Sequence, residues 1–148
     1  MTRARPHRSD YRYFLEILTR WGDNDAYGHA GNVVYYSWYE TVLSRWLIEV
    51  GAVDMGTTPI IGVMAENGCR FHAPVAFPDR ISVALRAERI GNTSVRFGMA
   101  VFRGNEDTAS ASGHAVHVYV DRATQRLPQP LQEDFRRALE AILVAPSA

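Results

Sequence analysis

The sequence predicts an α+β domain: a curved antiparallel sheet of about five strands wrapped around one long central helix. Two observations carry this. Residues 33–50 run without Gly or Pro, and their apolar and aromatic side chains cover most of a helical circumference. Residues 60–71, 80–90, 93–103 and 108–121 each read best at a period of two, as does the earlier stretch 11–21. A helix so apolar has to be enclosed, and period-two segments are what can enclose it.

In chain order, residues 1–10 carry Arg3, Arg5, Pro6, His7 and Arg8 with little to bury and are expected to form a flexible tail. In 11–21, Tyr13, Leu15, Ile17 and Trp21 alternate with Arg12, Glu16 and Arg20, a first strand that delivers Asp23 and Asp25 at its end. Asn32 is the expected N-cap of the helix and Gly51 its stop. Ser37, Glu40, Thr41, Ser44 and Arg45 form one narrow polar stripe along it. A loop is expected around residues 54–59.

In the later segments, Ile81, Val83 and Leu85 oppose Ser82 and Arg86, while Val95, Phe97, Met99 and Val101 oppose Arg96 and Gly98. Gly91 and Asn92 make one hairpin turn and residues 104–107 the next. Pro74 and Pro78 interrupt the chain, so the strands on either side need not be hairpin neighbours. After a turn-rich exit at 122–129, Pro130 is expected to start a short amphipathic helix through Leu131, Phe135, Leu139 and Ile142, packed on a sheet edge. The chain of 148 residues reads as one domain.

Sixteen basic and sixteen acidic residues cancel, which leaves no general field for nucleic acid or an anionic membrane. All the basic residues are Arg, so Lys nucleophiles and Schiff bases are excluded. Cys69 is the single cysteine, excluding an intrachain disulfide and Cys-rich metal sites. His72, His114 and His117 are scattered over strands, and no metal site is expected. No apolar run reaches bilayer length and the N-terminal stretch does not read as a secretory signal, so a cytoplasmic protein is expected.

Several stretches together resemble a known family. They are Asp23, Asp25, Gly28 and His29 before the helix; Arg70, Phe71, His72, Pro74, Val75, Phe77 and Asp79; Gly91, Asn92, Ser94 and Val95; and Val118, Val120, Asp121, Arg122 and Thr124. In this order they resemble the hotdog-fold acyl-CoA thioesterases of the 4-hydroxybenzoyl-CoA thioesterase type, over roughly residues 12–128. The resemblance implies a hotdog fold and hydrolysis of an acyl-CoA to a carboxylic acid and free coenzyme A. Asp25 would be the catalytic carboxylate, with backbone amides at the helix start, near Asn32 and Val33, polarising the thioester carbonyl.

It also implies substrate or coenzyme A contacts at Tyr27 and Gly28, and at a hairpin set of Arg89, Asn92, Thr93, Ser94 and Arg96. No cofactor is implied beyond the coenzyme A of the substrate, for which an acyl carrier protein could substitute. The expected assembly is a homodimer, or a dimer of dimers making a homotetramer, with sites at the interface. Where many relatives read G-H-V-N-N, this chain has Gly28, His29, Ala30, Gly31 and Asn32.

The residues themselves support this chemistry. Asp25 precedes the helix by about seven residues, near enough to face its N-terminus, where unpaired N–H groups carry partial positive charge. Asp25 could attack the carbonyl to give a mixed anhydride, or activate a water as general base. His29 could orient water or substrate, or bond the loop backbone. Asp23 reads as a brace. Glu40 is the rival carboxylate, against a plainer role as partner of Arg45 or a strand residue. Ser37, Ser44 and Cys69 lack a surrounding triad pattern. Two alternatives to hydrolysis stand beside this reading: a hotdog enoyl-CoA hydratase or dehydratase, and a non-catalytic acyl-CoA-binding sensor.

Overall fold

The computed structural model describes residues 4–52 and 57–146. The start of the expected tail and the first half of the expected 54–59 loop lie outside them. Five strands form one antiparallel sheet: β1 (Tyr13–Leu18), β2 (Ile60–Phe71), β3 (Arg80–Ile90), β4 (Ser94–Arg103) and β5 (Ala111–Asp121), in the order β1-β3-β4-β5-β2. The long helix α1 (Asn32–Glu49) lies against the sheet, and a short helix α2 (Glu133–Ala141) follows the last strand. This is the hotdog fold.

α1 is buried along one side, while Val33, Ile48 and the C-cap Val50 stay exposed, so this chain alone does not enclose it as its composition predicts. Tyr35, Trp38, Tyr39, Val42, Leu43, Trp46 and Leu47 are buried, packed against Ile81, Val83 and Leu85 of β3 and Val95, Phe97 and Met99 of β4. Those strand residues recur every second position, so one pleat face builds the core. Gly51, at φ 75°, ends the helix. Asn32, however, is the first helical residue; the N-cap is Gly31, and no side chain caps the helix.

β2 pairs with β5, not with β3, because the segment carrying Pro74 and Pro78 sends the chain across the fold before β3 begins. The helix expected from Pro130 begins at Glu133, with Gln132 as N-cap. Leu131 N–H is committed elsewhere, donating to the Asn92 carbonyl at 3.0 Å. Past α2, Ala87 donates to the Ile142 carbonyl and Val144 to that of Ala87, so the C-terminal chain continues along β3 beyond the end of β1.

The main departure from expectation is at the N-terminus. Residues 5–11 are docked on the convex face rather than frayed. Arg5 Nε donates to the Ala109 carbonyl at 2.8 Å, Arg8 donates to the carbonyls of Glu106 and Gly104, and Ala109 N–H donates to Pro6. Tyr11 is buried, edge-on to Phe102 at 5.9 Å, with the Arg86 guanidinium 4.8 Å above its ring. Arginines that look like solvated charge in sequence are here donors to backbone carbonyls. The same docking shortens the last strand: residues 108 and 109 pair with the N-terminal segment, and β5 starts at Ala111.

Candidate active site

Between β1 and α1 the chain folds into a loop held from both sides. Asp23, 4% exposed, accepts from Arg20 N–H at 2.7 Å through Oδ2 and from Arg20 Nη2 at 2.8 Å through Oδ1, and its own carbonyl accepts from Gly31 N–H. It is the brace its spacing suggested. Across the loop, Asn24 Oδ1 accepts from Phe77 N–H at 3.0 Å, and Ala30 N–H donates to the Val75 carbonyl at 2.6 Å. The Pro74 to Asp79 motif is thus a buttress for this loop, with Phe77 also edge-on to Trp21 at 5.9 Å.

Within the loop, Asp25 N–H donates to the His29 carbonyl and Gly28 N–H to that of Asp25. Gly28 adopts φ 81°, a left-handed conformation that the tight return to the helix requires. Asp25 Oδ1 accepts from Tyr27 N–H at 2.8 Å, leaving the rest of an exposed carboxylate unengaged by the described residues. A Cβ built on Gly31 would lie 3.8 Å from Asp25 Cβ, so the carboxylate starts beside the helix N-cap.

The first N–H groups of a helix have no intrahelical acceptor, and the axis directs partial positive charge out of that end. With Gly31 as N-cap, no side chain of the cap position occupies them. Gly31 at the cap position therefore supplies no side chain to this helix end. The sequence-expected set of Asp25, Tyr27, Gly28, His29, Asn32 and Val33 is gathered at one loop–helix junction. The His29 imidazole has no hydrogen-bond partner among the described residues, and Val33 is 76% exposed on the first turn.

The hairpin set lies elsewhere. Arg89, Asn92, Thr93, Ser94 and Arg96 surround the β3–β4 turn, whereas Asp25 follows Leu18, which pairs with Arg80 at the opposite end of β3. At about 3.3 Å per residue, the two ends of this strand are roughly 30 Å apart. Gly91 N–H donates to Ser94, Tyr119 N–H to Thr93 and Leu131 N–H to Asn92, so these residues also close the turn and anchor the segments beside it. Arg96 is already matched, by Glu88 at 3.0 Å and Glu66 at 3.6 Å. Arg89 carries no ion pair among the described residues.

Near the hairpin end, a cavity of about 240 Å³ opens between α1, β2, β5 and α2. It was not legible as a site in the sequence, although His117 and Tyr119 share its wall through their spacing of two. Glu40 also lines it; Arg45 pairs with Glu49 at 2.8 Å, so the expected Glu40–Arg45 pair is absent. Cys69 is within 3.3 Å of the Tyr39 hydroxyl, and burial pushes its thiol pKa up, which removes it as a nucleophile.

Burial pulls the His117 pKa down from 6.5 to about 4, so the imidazole is neutral in the folded protein while it would protonate in the unfolded chain as pH falls below 6.5. Its contribution to stability is fully present above that value and is lost between pH 6.5 and 4, about 3 kcal/mol in all. The urea midpoint of wild type should therefore fall relative to that of His117→Phe over this interval as pH drops. Parallel pH profiles would contradict the assignment.

Among the described residues no group of three or more His, Cys, Asp or Glu could hold a metal ion, and no helix is long and apolar enough to cross a membrane.

The sheet, the helix packed on it and the loop at the helix end define a hotdog-fold protein of the thioesterase class. The chain belongs to the thioesterase-like superfamily, which matches residues 19–139, and at that level its reaction is the hydrolysis of a thioester. It is similar to the PA5185 protein of Pseudomonas aeruginosa strain PAO1, at 41% identity and a TM-score of 0.91 over 97% of this chain and 99% of that one. It is also similar to the PA2801 protein of Pseudomonas aeruginosa, which carries a thioesterase name, at 28% identity and 0.77 over 84% of this chain and 95% of the other. The gentisyl-coenzyme A thioesterase BH1999, at 22% identity and 0.73 over 86% of this chain and 99% of that one, shares the fold. No curated protein matches the chain.

Proposed function

We propose that the chain hydrolyses acyl-coenzyme A thioesters, with Asp25 as the reacting carboxylate and the amides of Asn32 and Val33 as oxyanion donors. The observation that carries this reading is the Asp25 side chain beside a helix end that no side chain caps. In the general-base route, Asp25 takes a proton from water as the water oxygen adds to the thioester carbon. The negative charge moves to the carbonyl oxygen, which the helix amides hold; donors of this kind contribute about 3–4 kcal/mol. Collapse breaks the C–S bond, and the coenzyme A thiolate leaves and regains a proton. In the nucleophilic route Asp25 itself adds, and water hydrolyses the resulting anhydride. His29 can orient the water in either.

The substrate needs no cofactor beyond its own coenzyme A, and Arg89 is the hairpin cation free to meet its phosphates. The protein works as a homodimer, or as a dimer of dimers, in the cytoplasm. β2 supports the assembly: it is a sheet edge 12 residues long, with residues 62–67 exposed on both faces, a surface that pairing with a second copy would cover. Antiparallel pairing of β2 with its copy brings opposite ends of the two chains together. Asp25 of one protomer then meets the hairpin and cavity of its partner, which reconciles two sets of residues that one chain holds apart.

The test is free-thiol release across short, long, hydroxylated and aromatic acyl-CoAs, the last group suggested by the gentisyl-coenzyme A thioesterase among the structural neighbours, with acyl carrier protein thioesters beside them. Turnover of acyl-CoAs is the expected result. Enoyl-CoA hydration without hydrolysis would indicate a hydratase, and stabilisation by acyl-CoA without any turnover a sensor. Sedimentation should give a dimer or a tetramer.

A further inference from the structure

The cavity between α1, β2, β5 and α2 has a composition that hydrocarbon binding does not explain. Most of its wall is apolar, including Leu47, Ile60 and Phe135. Glu40, Ser44, Thr58 and Gln132 also line it, but the two buried polar side chains of its wall are His117, 7% exposed, and Tyr119, 6% exposed. His117 Nδ1 and the Tyr119 hydroxyl are both buried with no hydrogen-bond partner among the described residues. Each such group is destabilising, and native proteins keep few of them.

Both rings converge on Gly62 of β2. A Cβ there would fall 2.9 Å from His117 Nδ1 and 3.1 Å from the Tyr119 ring, so any other residue would push the rings away. Charge narrows the occupant further: Glu40 lines the cavity and no arginine among the described residues does, which disfavours a carboxylate. Size narrows it again, since a cavity of about 150 Å³ holds a benzene ring, and this one is about 240 Å³.

We propose that the cavity receives the acyl group of the substrate, and that His117 and Tyr119 select a neutral, medium-length aliphatic chain bearing a hydroxyl far from the thioester. A hydroxyl is the smallest common neutral substituent of an acyl chain that can donate to the imidazole nitrogen and accept from the phenol at once. The proposal rests on the thioesterase reading, with the bond cleaved by Asp25 of the partner subunit. Both polar atoms lie just behind the cavity wall, so binding includes a small rotation of the rings toward the ligand.

The experiment compares 8-hydroxyoctanoyl-CoA, octanoyl-CoA and the ω-carboxylate suberyl-CoA as substrates, and adds 1-octanol as a ligand that needs no hydrolysis. The expected kcat/KM for the hydroxylated chain exceeds that for octanoyl-CoA about tenfold and that for suberyl-CoA by more; Tyr119→Phe brings the first ratio toward one. 1-Octanol should shift the His117 imidazole nitrogen resonances and bind several-fold more weakly to Tyr119→Phe. If 1-octanol does this while no thioester is cleaved, the cavity assignment stands and the thioesterase reading fails. Equal kcat/KM for hydroxylated and plain chains, with His117 resonances unmoved by 1-octanol, overturns the assignment and leaves the thioesterase reading intact.

Discussion

Replacing Asp25 by Asn should lower kcat/KM for acyl-CoA hydrolysis by about 10²–10⁴-fold, the range expected when a positioned base is removed. The fold should hardly notice. Asp25 is exposed and its one side-chain hydrogen bond, from Tyr27 N–H to Oδ1, is one that an Asn carbonyl can accept equally well. Unfolding free energy should stay within about 0.5 kcal/mol of wild type, as for most surface substitutions. Loss of activity with retained stability is the signature of a reacting carboxylate. The competing residue is Glu40, which lines the cavity that the partner's loop would face. If Asp25→Asn kept most of its activity while Glu40→Gln lost it, the helix carboxylate would be the one that reacts.

The largest expected effect on stability lies on the other face of the sheet. Arg86 and Glu88 form an ion pair at 2.7 Å with side chains only 10% and 8% exposed, and Arg86 Nη1 also donates to the Asp10 carbonyl at 3.1 Å. The pair lies flat across Gly98, where a Cβ would fall 2.5 Å from Glu88 Oε2. Glu88→Ala leaves a buried guanidinium with a single carbonyl acceptor and should cost about 3–5 kcal/mol by urea unfolding. Glu88→Gln, which keeps an acceptor but not the charge, should cost less. The double variant Arg86→Met, Glu88→Leu should recover most of the loss, because a buried pair is worth little against well-packed apolar groups. A Glu88→Ala loss below about 1 kcal/mol would mean that the face opens enough to hydrate Arg86.

Much of the fold was legible because its periodicities are long and uninterrupted. α1 could be read from an unbroken run of apolar residues, and each strand of the meander from alternation that survives its Arg and His residues. The misread points are those where the deciding partner is distant in sequence. Arg5 and Arg8 look like a solvated tail because the carbonyls they bond, Ala109 and Glu106, lie about a hundred residues away. Asn32 looks like a cap because its residue type favours capping, but Asp23 accepts from Gly31 N–H and sets the helix start one residue earlier.

The candidate site divides along the same line. Asp25, Gly28, His29 and Asn32 are near neighbours in the chain, so sequence alone could group them and attach them to a helix end. It could also determine which segments pack against that helix, since burial follows from local apolar pattern. Strand order, the antiparallel β2–β5 pairing and the long β3 separating Asp25 from Arg89 were decided by the tertiary structure. So was the meeting of His117, Tyr119 and Glu40 around one cavity. These depend on which faces pack across the sheet, and local pattern carries no information about the identity of a partner many residues away.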